Sequence, residues 1–390
     1  MRSDLERIFR AGVEACLPHR VLPPHLPPAP AGRVLLLAAG KAAAAMARVA
    51  ERHFRAGLEG IAVVPHGVTA QLERIELMHA GHPTPDETSV AAAGRLLALA
   101  RDARAGDLVL VLLSGGASAL ACLPGDGLNL AEKRRITEAL LRSGAAIDEI
   151  NCVRRHLSQI KGGRLALAAA PAQTMTLAIS DVVGDRPKDI GSGPTVADPS
   201  TLAEAKAVLQ RHGISDPDVG WSETPKRVVS EYRIVARAAD ALAAAAAEVE
   251  RLGYGPTMLG ETTGEARATG RAHAALALEA APGTAFISGG ELFVRVSGPG
   301  RGGRNQEYAL AAALALAGRP GIAGLAADTD GIDGNSEAAG AFFGGEATAG
   351  AEEALKANDS ASWFAACGAQ LVTGPTGTNV NDLRIILVAP

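Results

Sequence analysis

The residues best equipped for chemistry lie in one stretch, Ser297-Gly298-Pro299-Gly300-Arg301-Gly302-Gly303-Arg304-Asn305-Gln306-Glu307. Four glycines and two arginines fall within eleven residues, just ahead of an alanine- and leucine-rich run, Tyr308 to Ala317, that reads as a helix. A glycine-rich turn opening a helix presents backbone N–H groups and the positive end of a dipole to an anion. Arginine adds a planar fork of donors that matches carboxylate or phosphate oxygens. The same composition also describes a solvated surface turn, so its meaning depends on what other segments contribute.

Those segments are apolar stretches that end in polar groups. Arg33–Ala39 runs into Gly40-Lys41, and Asp107–Leu113 into Ser114-Gly115-Gly116-Ala117-Ser118. Thr174–Ile179 runs into Ser180-Asp181-Val182-Val183-Gly184-Asp185. A further stretch from Thr284 ends in Ser288-Gly289-Gly290-Glu291, and Gly324–Ala327 in Asp328-Thr329-Asp330-Gly331-Ile332-Asp333. Continuous apolar runs of this length read as strands covered on both faces, as in parallel sheets. In open α/β sheets ligands bind beyond the carboxyl ends of the strands. The polar ends include a cation, Lys41, aspartates suited to a hard divalent ion, and glycine-rich loops suited to phosphate. That inventory fits phosphoryl transfer. No Gly-x-Ser-x-Gly elbow marks a hydrolase, and no Gly-x-Gly-x-x-Gly follows the first strand as hydride transfer would lead one to expect. The alternating acids from Asp328 resemble a calcium loop but lack the closing glutamate at the required spacing.

Other polar groups read more blandly. His82, between Gly81 and Pro83, reads as a structural loop residue. The basic run from Asn151 to Gly163 reads as a solvated helix face, with Lys161 before two glycines as the exception.

The elements that must position these residues make two domains. A chain of 390 residues exceeds one typical core, and its 47% apolar content is ample for two. Residues 213–227 are polar and aperiodic, which places the boundary there and predicts domains 1–222 and 223–390. Residues 4–17 form an amphipathic helix, with Leu5, Ile8, Phe9, Val13 and Cys16 on one face. Gly340 to Gly345 reads as a turn. The predicted fold class is α/β, with two α/β domains, largely parallel helix-flanked sheets and an interdomain cleft. Net charge is −4 and no basic block occurs, which argues against a nucleic-acid partner. The start of the sequence has no signal-peptide pattern, and the longest apolar runs are too short to span a bilayer. With four scattered cysteines this predicts a cytoplasmic location and no membrane partner.

The pattern resembles the class II glycerate kinases, which join a glycerate-kinase N-terminal domain to a MOFRL C-terminal domain. The matching segments are Ala39–Ala42, Gly81–Pro83, Leu113–Ser118, Ser180–Asp185, Gly191–Thr195, Ser288–Glu291, Gly302–Glu307, Asp328–Gly334 and Gly377–Asp382, in the family's order. Two segments depart from it, Arg186–Asp189 and Ala236–Ala238. The resemblance implies phosphorylation of D-glycerate to 2-phosphoglycerate by ATP with magnesium; the chain is expected as a monomer or homodimer. It implies essential roles for Lys41 and Arg304, and Asp330 or Asp333 is the candidate base that takes the proton from the substrate hydroxyl. Nucleotide or substrate binding is expected of Gly40, Ser114, Gly115, Gly116, Ala117, Ser118, Ser288, Gly289, Gly290, Glu291, Asn305, Thr378 and Asn379. Asp181 and Asp185 are the expected metal ligands. Two rival readings are a nicotinamide-dependent hydroxypyruvate reductase and a non-enzymatic sensor of a sugar acid or phosphate.

Overall fold

The computed structural model describes residues 1–344 and 348–390. The chain forms two compact units, Val21–Val235, and Met1–Arg20 together with Ala236–Pro390.

The first unit is built on six strands: β1 (Val34–Ala39), β2 (Leu58–Pro65), β3 (Ile75–Ala80), β4 (Leu108–Leu113), β5 (Gln173–Ile179) and β6 (Glu231–Ala236). Their order is β3-β2-β1-β4-β5-β6. The pairs β1–β2, β2–β3, β1–β4 and β4–β5 are parallel. Every residue of β1 and β4 is buried, as their unbroken apolar sequences require of central strands. Parallel neighbours need crossovers, and helix Glu87–Arg101 supplies the one between β3 and β4. It starts where it does because Asp86 caps it: the carboxylate accepts from Ser89 N at 2.9 Å, and Ser89 Oγ accepts from Asp86 N at 3.1 Å. Its Ala92, Ala93, Leu96 and Leu97 pack on Leu35, Leu37, Val109 and Val111 of the sheet.

The second unit contains β7 (Gly255–Glu261), β8 (Gly264–Glu265), β9 (Thr284–Gly289), β10 (Leu292–Phe293), β11 (Ile322–Asp328), β12 (Gly340–Gly344), β13 (Gln370–Leu371) and β14 (Asp382–Val388). Strands β8 and β10 form a small ribbon; the rest form a sheet ordered β13-β12-β11-β14-β9-β7. Both units are thus α/β, but the sheets differ in kind. Only β7–β9 is a parallel pair among the described strands of the second sheet, whereas β14 runs antiparallel to both β11 and β9. An apolar run identifies a strand without stating its direction, which is why the sequence predicted largely parallel sheets for both.

Alternation in β14 serves two cores. Ile386 and Val388 face a cluster with helices Ala266–Glu279 and Arg304–Leu316, while Leu383, Ile385 and Leu387 face helices Arg2–Ala15 and Ala238–Arg251. Gly340–Gly344 is strand β12, not a turn, and Gly345 lies outside the described residues. Phe343 packs in the first cluster and Phe342 in the second, as adjacent strand residues must. Gly324 on β11 makes room for this, since a Cβ there would lie 2.1 Å from Phe343 Cζ.

The packing division also differs from the expected boundary at residue 222. It falls between Val235 and Ala236, and residues 1–20 join the second unit. The apolar stripe Leu5, Ile8, Phe9 and Val13 demands a partner surface but does not name it; here it is Leu383 and Ile385 with Leu242 and Ala245. Gly12 permits the close approach, because a Cβ would sit 2.8 Å from Leu383 Cδ2 and 3.1 Å from the Ala241 carbonyl. Phe9 is 1% exposed in this contact. Phe9→Ala is therefore expected to cost roughly 3–5 kcal/mol of stability, read as a lower urea midpoint with no change in denaturant slope.

Candidate active site

In the first unit the chain moves from β1 outward through β2 and β3, then returns to build β4, β5 and β6 on the other side. The reversal lies between β1 and β4, and ligands of doubly wound sheets bind beyond the strand ends at such a point. Gly40-Lys41 and Ser114–Ser118 occupy that position. Lys41 N donates to the Gly115 carbonyl at 2.8 Å, and Ala42 N donates to Ser114 Oγ at 3.0 Å. The two segments are so close that only glycine fits at position 40. Its φ is +136°, and a Cβ would lie 2.1 Å from Ser114 Oγ. Gly116, at φ +83°, lies against the His82 ring. The buried Ala117 opens a four-residue helix, Ala117–Leu120. Ser118 is not an open hydroxyl: its Oγ is 2.6 Å from Ser192 Oγ and accepts from Lys161 Nζ at 3.0 Å. Asp181 and Asp185 sit on the turn after β5, both half-buried, beside the β4 end.

In the second unit the register of β11 with β14 sets Asp328 opposite Asp382. Arg304, the first residue of helix Arg304–Leu316, reaches both. Its Nε donates to both Asp382 oxygens at 2.9 Å, and Nη2 donates to Asp328 Oδ2 at 2.9 Å. Nη1 donates to Glu291 Oε1 at 3.2 Å. The Asp328 and Asp382 side chains are 4% and 0% exposed, whereas that of Arg304 is 24% exposed. The carboxylates therefore lie behind the guanidinium and leave part of it open to water. Burial works against the Arg304 charge, but Asp382 and Asp328 outweigh it and hold the group above its ordinary range.

A second arginine completes this network. Arg384 is fully buried, donates to Asp382 Oδ2 at 3.0 Å and to the Gly290 carbonyl at 3.1 Å, and also reaches the Gly289 carbonyl. Ser288 Oγ accepts from Arg384 Nε at 3.3 Å. The Ser288–Gly290 loop thus turns three of its oxygens inward onto Arg384. Arg384 lies outside the segments singled out above, and Asp382 closes one of them without an assigned role. Their signal is there: two charged residues at period two in an otherwise apolar strand, Asp382-Leu383-Arg384-Ile385.

Two sequence-predicted residues take other roles. Asp333, expected as a possible base, is 1% exposed and caps helix Arg304–Leu316. Its Oδ1 accepts from Asn305 N at 3.0 Å and Nδ2 at 3.4 Å; its Oδ2 accepts from Gln306 N at 2.8 Å and Nε2 at 3.2 Å. Both oxygens are thus engaged by the first turn of the helix, which turns the carboxyl group away from any substrate. Thr378, expected to bind nucleotide or substrate, is 1% exposed and donates to the Cys16 carbonyl at 2.8 Å, tying down the end of the N-terminal helix. Asn305 is also fully buried, with Nδ2 on Asp382 Oδ1 at 2.8 Å, so it supports the network from behind. Asn379 is 4% exposed, and its Oδ1 accepts from Asn381 N at 3.2 Å. Asp330 is 5% exposed; its N donates to Asp328 Oδ1 and its Oδ1 accepts from Ile332 N.

Comparison with known proteins places these residues in a family. Residues 4–221 match the family described as a domain of unknown function, DUF4147, and residues 284–382 match the MOFRL family. A D-glycerate 2-kinase of Thermotoga maritima is 40% identical, over 98% of this chain and 97% of its own. The chain belongs to the class II glycerate kinase family. The solved glycerate kinase structure from Thermotoga maritima superposes with a TM-score of 0.87 at 38% identity, covering 98% of both chains. A relative from Agrobacterium vitis, 45% identical over 99% of this chain and 94% of its own, carries the name putative hydroxypyruvate reductase. For a class II glycerate kinase, the Arg304 network and the Gly40–Ser114 junction are the two built features of the strand edges.

Asp333 yields a pH prediction. Burial pushes its carboxyl up to about 6, against the pull of the Asn305 and Gln306 backbone N–H groups. The folded chain therefore binds this proton more tightly than the unfolded chain. The resulting stability is present at pH 4 and is lost as pH rises through 6. Asp333→Asn removes the titration. Urea unfolding should show the wild type's margin over this variant shrinking by about 2–3 kcal/mol between pH 4 and 7. Parallel pH profiles would contradict the assignment.

Proposed function

We propose that this chain transfers the γ-phosphoryl group of ATP to D-glycerate, giving 2-phosphoglycerate. The observation that carries the reading is the placement of kinase-family residues on strand edges, above all Arg304 held as a fork by Asp328 and Asp382. Phosphoryl transfer passes through a loose transition state with charge spread over oxygens, so its main needs are position and cations. Arg304 offsets charge on the transferring group or grips the glycerate carboxylate. Lys41 offsets phosphate charge, next to main-chain groups of the Ser114–Ser118 loop. Asp330 takes or orients the substrate hydroxyl proton, and Asp333 is left to the helix.

Magnesium is the expected metal. Among the described residues no group of three or more His, Cys, Asp or Glu could hold an ion. Two half-buried carboxylates still suit magnesium, which binds through one or two carboxylates and takes its other ligands from phosphates and water. Asp181 and Asp185 would hold it, and the ion would neutralise polyphosphate charge.

The reductase name of one relative finds no counterpart in the chain. The turn after β1 reads Ala39-Gly40-Lys41-Ala42-Ala43-Ala44, without the glycine spacing that admits a dinucleotide pyrophosphate. Incubation with ATP, magnesium and D-glycerate should release ADP at roughly 1–100 per second, with the phosphorus resonance of a 2-phosphate. Oxidation of a reduced nicotinamide by hydroxypyruvate without ADP release would favour the reductase. Tight glycerate binding without turnover would favour a sensor. Lys41→Ala and Arg304→Lys should each lower kcat by about 10²–10³-fold, the second because a lysine keeps the charge but loses the fork. Near-normal turnover of either folded variant would remove its residue from the mechanism.

A further inference from the structure

One cavity of about 250 Å³ lies within the Val21–Val235 unit; it borders the Ser114–Ser118 loop, but its cationic wall has no part in the roles above. Its wall includes four cations, Lys133, Arg134, Arg154 and Lys161, alongside His82, Gly116 and Ser118. One carboxylate lines it, Glu138, which is exposed and paired with Arg142 at 2.9 Å. Among the described residues the four cations have no carboxylate partner. Lys161 is 2% exposed, and its acceptors are all neutral: the Ser118 carbonyl at 2.9 Å, Ser118 Oγ at 3.0 Å and the Gly191 carbonyl at 3.3 Å. Lys133 is equally buried and donates to the Leu157 carbonyl. Arg134 donates to the Pro85 carbonyl, and its Nε is buried without a partner. Among the described residues, Arg154 has neither an ion pair nor a hydrogen bond, and it lies next to Arg155, which has both.

That contrast matters because the rest of the chain treats buried cations differently. Arg155 is paired with Asp198 at 3.0 Å and Arg384 with Asp382 at 3.0 Å. Burying a charge without a counter-ion costs several kcal/mol. Consistent with this, burial pushes the Lys161 ammonium down to about 7 and that of Lys133 down to about 8. A like-charged wall around an open cavity stores a deficit that one incoming anion offsets.

We propose that this cavity is a binding subsite for an oxyanion, a carboxylate or a phosphate group, held by Arg154 and Lys161 with Lys133 and Arg134 around them. Its volume suits a small acid or the end of a larger ligand; whole drug-sized ligands fill roughly 300–1,000 Å³. The existence of the site does not depend on the kinase reading, whereas the choice between the glycerate carboxylate and a nucleotide phosphate rests on it.

The test is calorimetric titration of the full chain with three separate probes: D-glycerate, ADP and inorganic phosphate. Arg154→Gln should weaken at least one of them tenfold or more, with a thermal midpoint at or above that of the wild type because an unpaired charge is removed. Lys161→Met should weaken the same probe. Loss of D-glycerate alone assigns the carboxylate; loss of ADP and phosphate assigns a phosphate. The proposal is overturned if the wild type binds none of the three, or if Arg154→Gln leaves every dissociation constant within about twofold. Arg154-dependent binding without phosphoryl transfer would overturn the kinase reading and leave the site. Normal transfer with unchanged binding in Arg154→Gln would do the reverse.

Discussion

The contact of Arg304 Nε with both oxygens of Asp382, braced by Nη2 on Asp328, is the constraint on which the C-terminal site depends. Its members come from three places in the chain: the end of β11, the start of β14 and the first turn of a helix. Antiparallel pairing of β11 with β14 sets the two aspartates side by side. Asp333 then fixes where the helix begins, by accepting from two of its unsatisfied backbone N–H groups. A planar fork loses little freedom when Nε and Nη2 are already held by buried carboxylates. The water-exposed part of Arg304, at Nη1 beside the exposed Glu291, is therefore aimed before any ligand arrives, which is the arrangement that electrostatic catalysis favours.

The two units solve opposite charge problems. Around Arg304 and Arg384, buried carboxylates compensate the cations, so the guanidinium is positioned rather than destabilised. Around Lys161 and Arg154, the acceptors among the described residues are neutral or absent, so positive charge remains uncompensated. A kinase needs both conditions, a preset cation where charge develops and a vacant positive site where an anion docks. Glycine does the corresponding steric work, for example at Gly40, where any side chain would collide with Ser114.

Much of the fold was legible because strand interiors are apolar and their ends are not. The runs ending at Gly40-Lys41 and at Ser114-Gly115 do lie side by side at a strand-order reversal. Direction was not legible: Asp382–Val388 has the same apolar signature whether it runs parallel or antiparallel. Nor could the stripe Leu5, Ile8, Phe9 and Val13 reveal that its partner lies near the other end of the chain. Within the site, residue type announced chemistry but not availability. Asp333 and Thr378 look like ligands until their hydrogen bonds are counted. Conversely, Arg154 looks like part of a solvated helix face until its surroundings in the fold are seen. Burial and partners are tertiary properties, and no local spacing encodes them.

A double-mutant cycle on kcat/KM between Asp328 and Arg304 tests most directly whether the carboxylates act by aiming the fork. Asp328→Asn keeps an oxygen for the Asp330 N–H but loses the charge that holds Arg304 Nη2. The account predicts a loss of about tenfold in the wild-type background and less than about twofold when Arg304 is already lysine. Equal losses in the two backgrounds would mean that Asp328 acts independently of Arg304, and the account would fail.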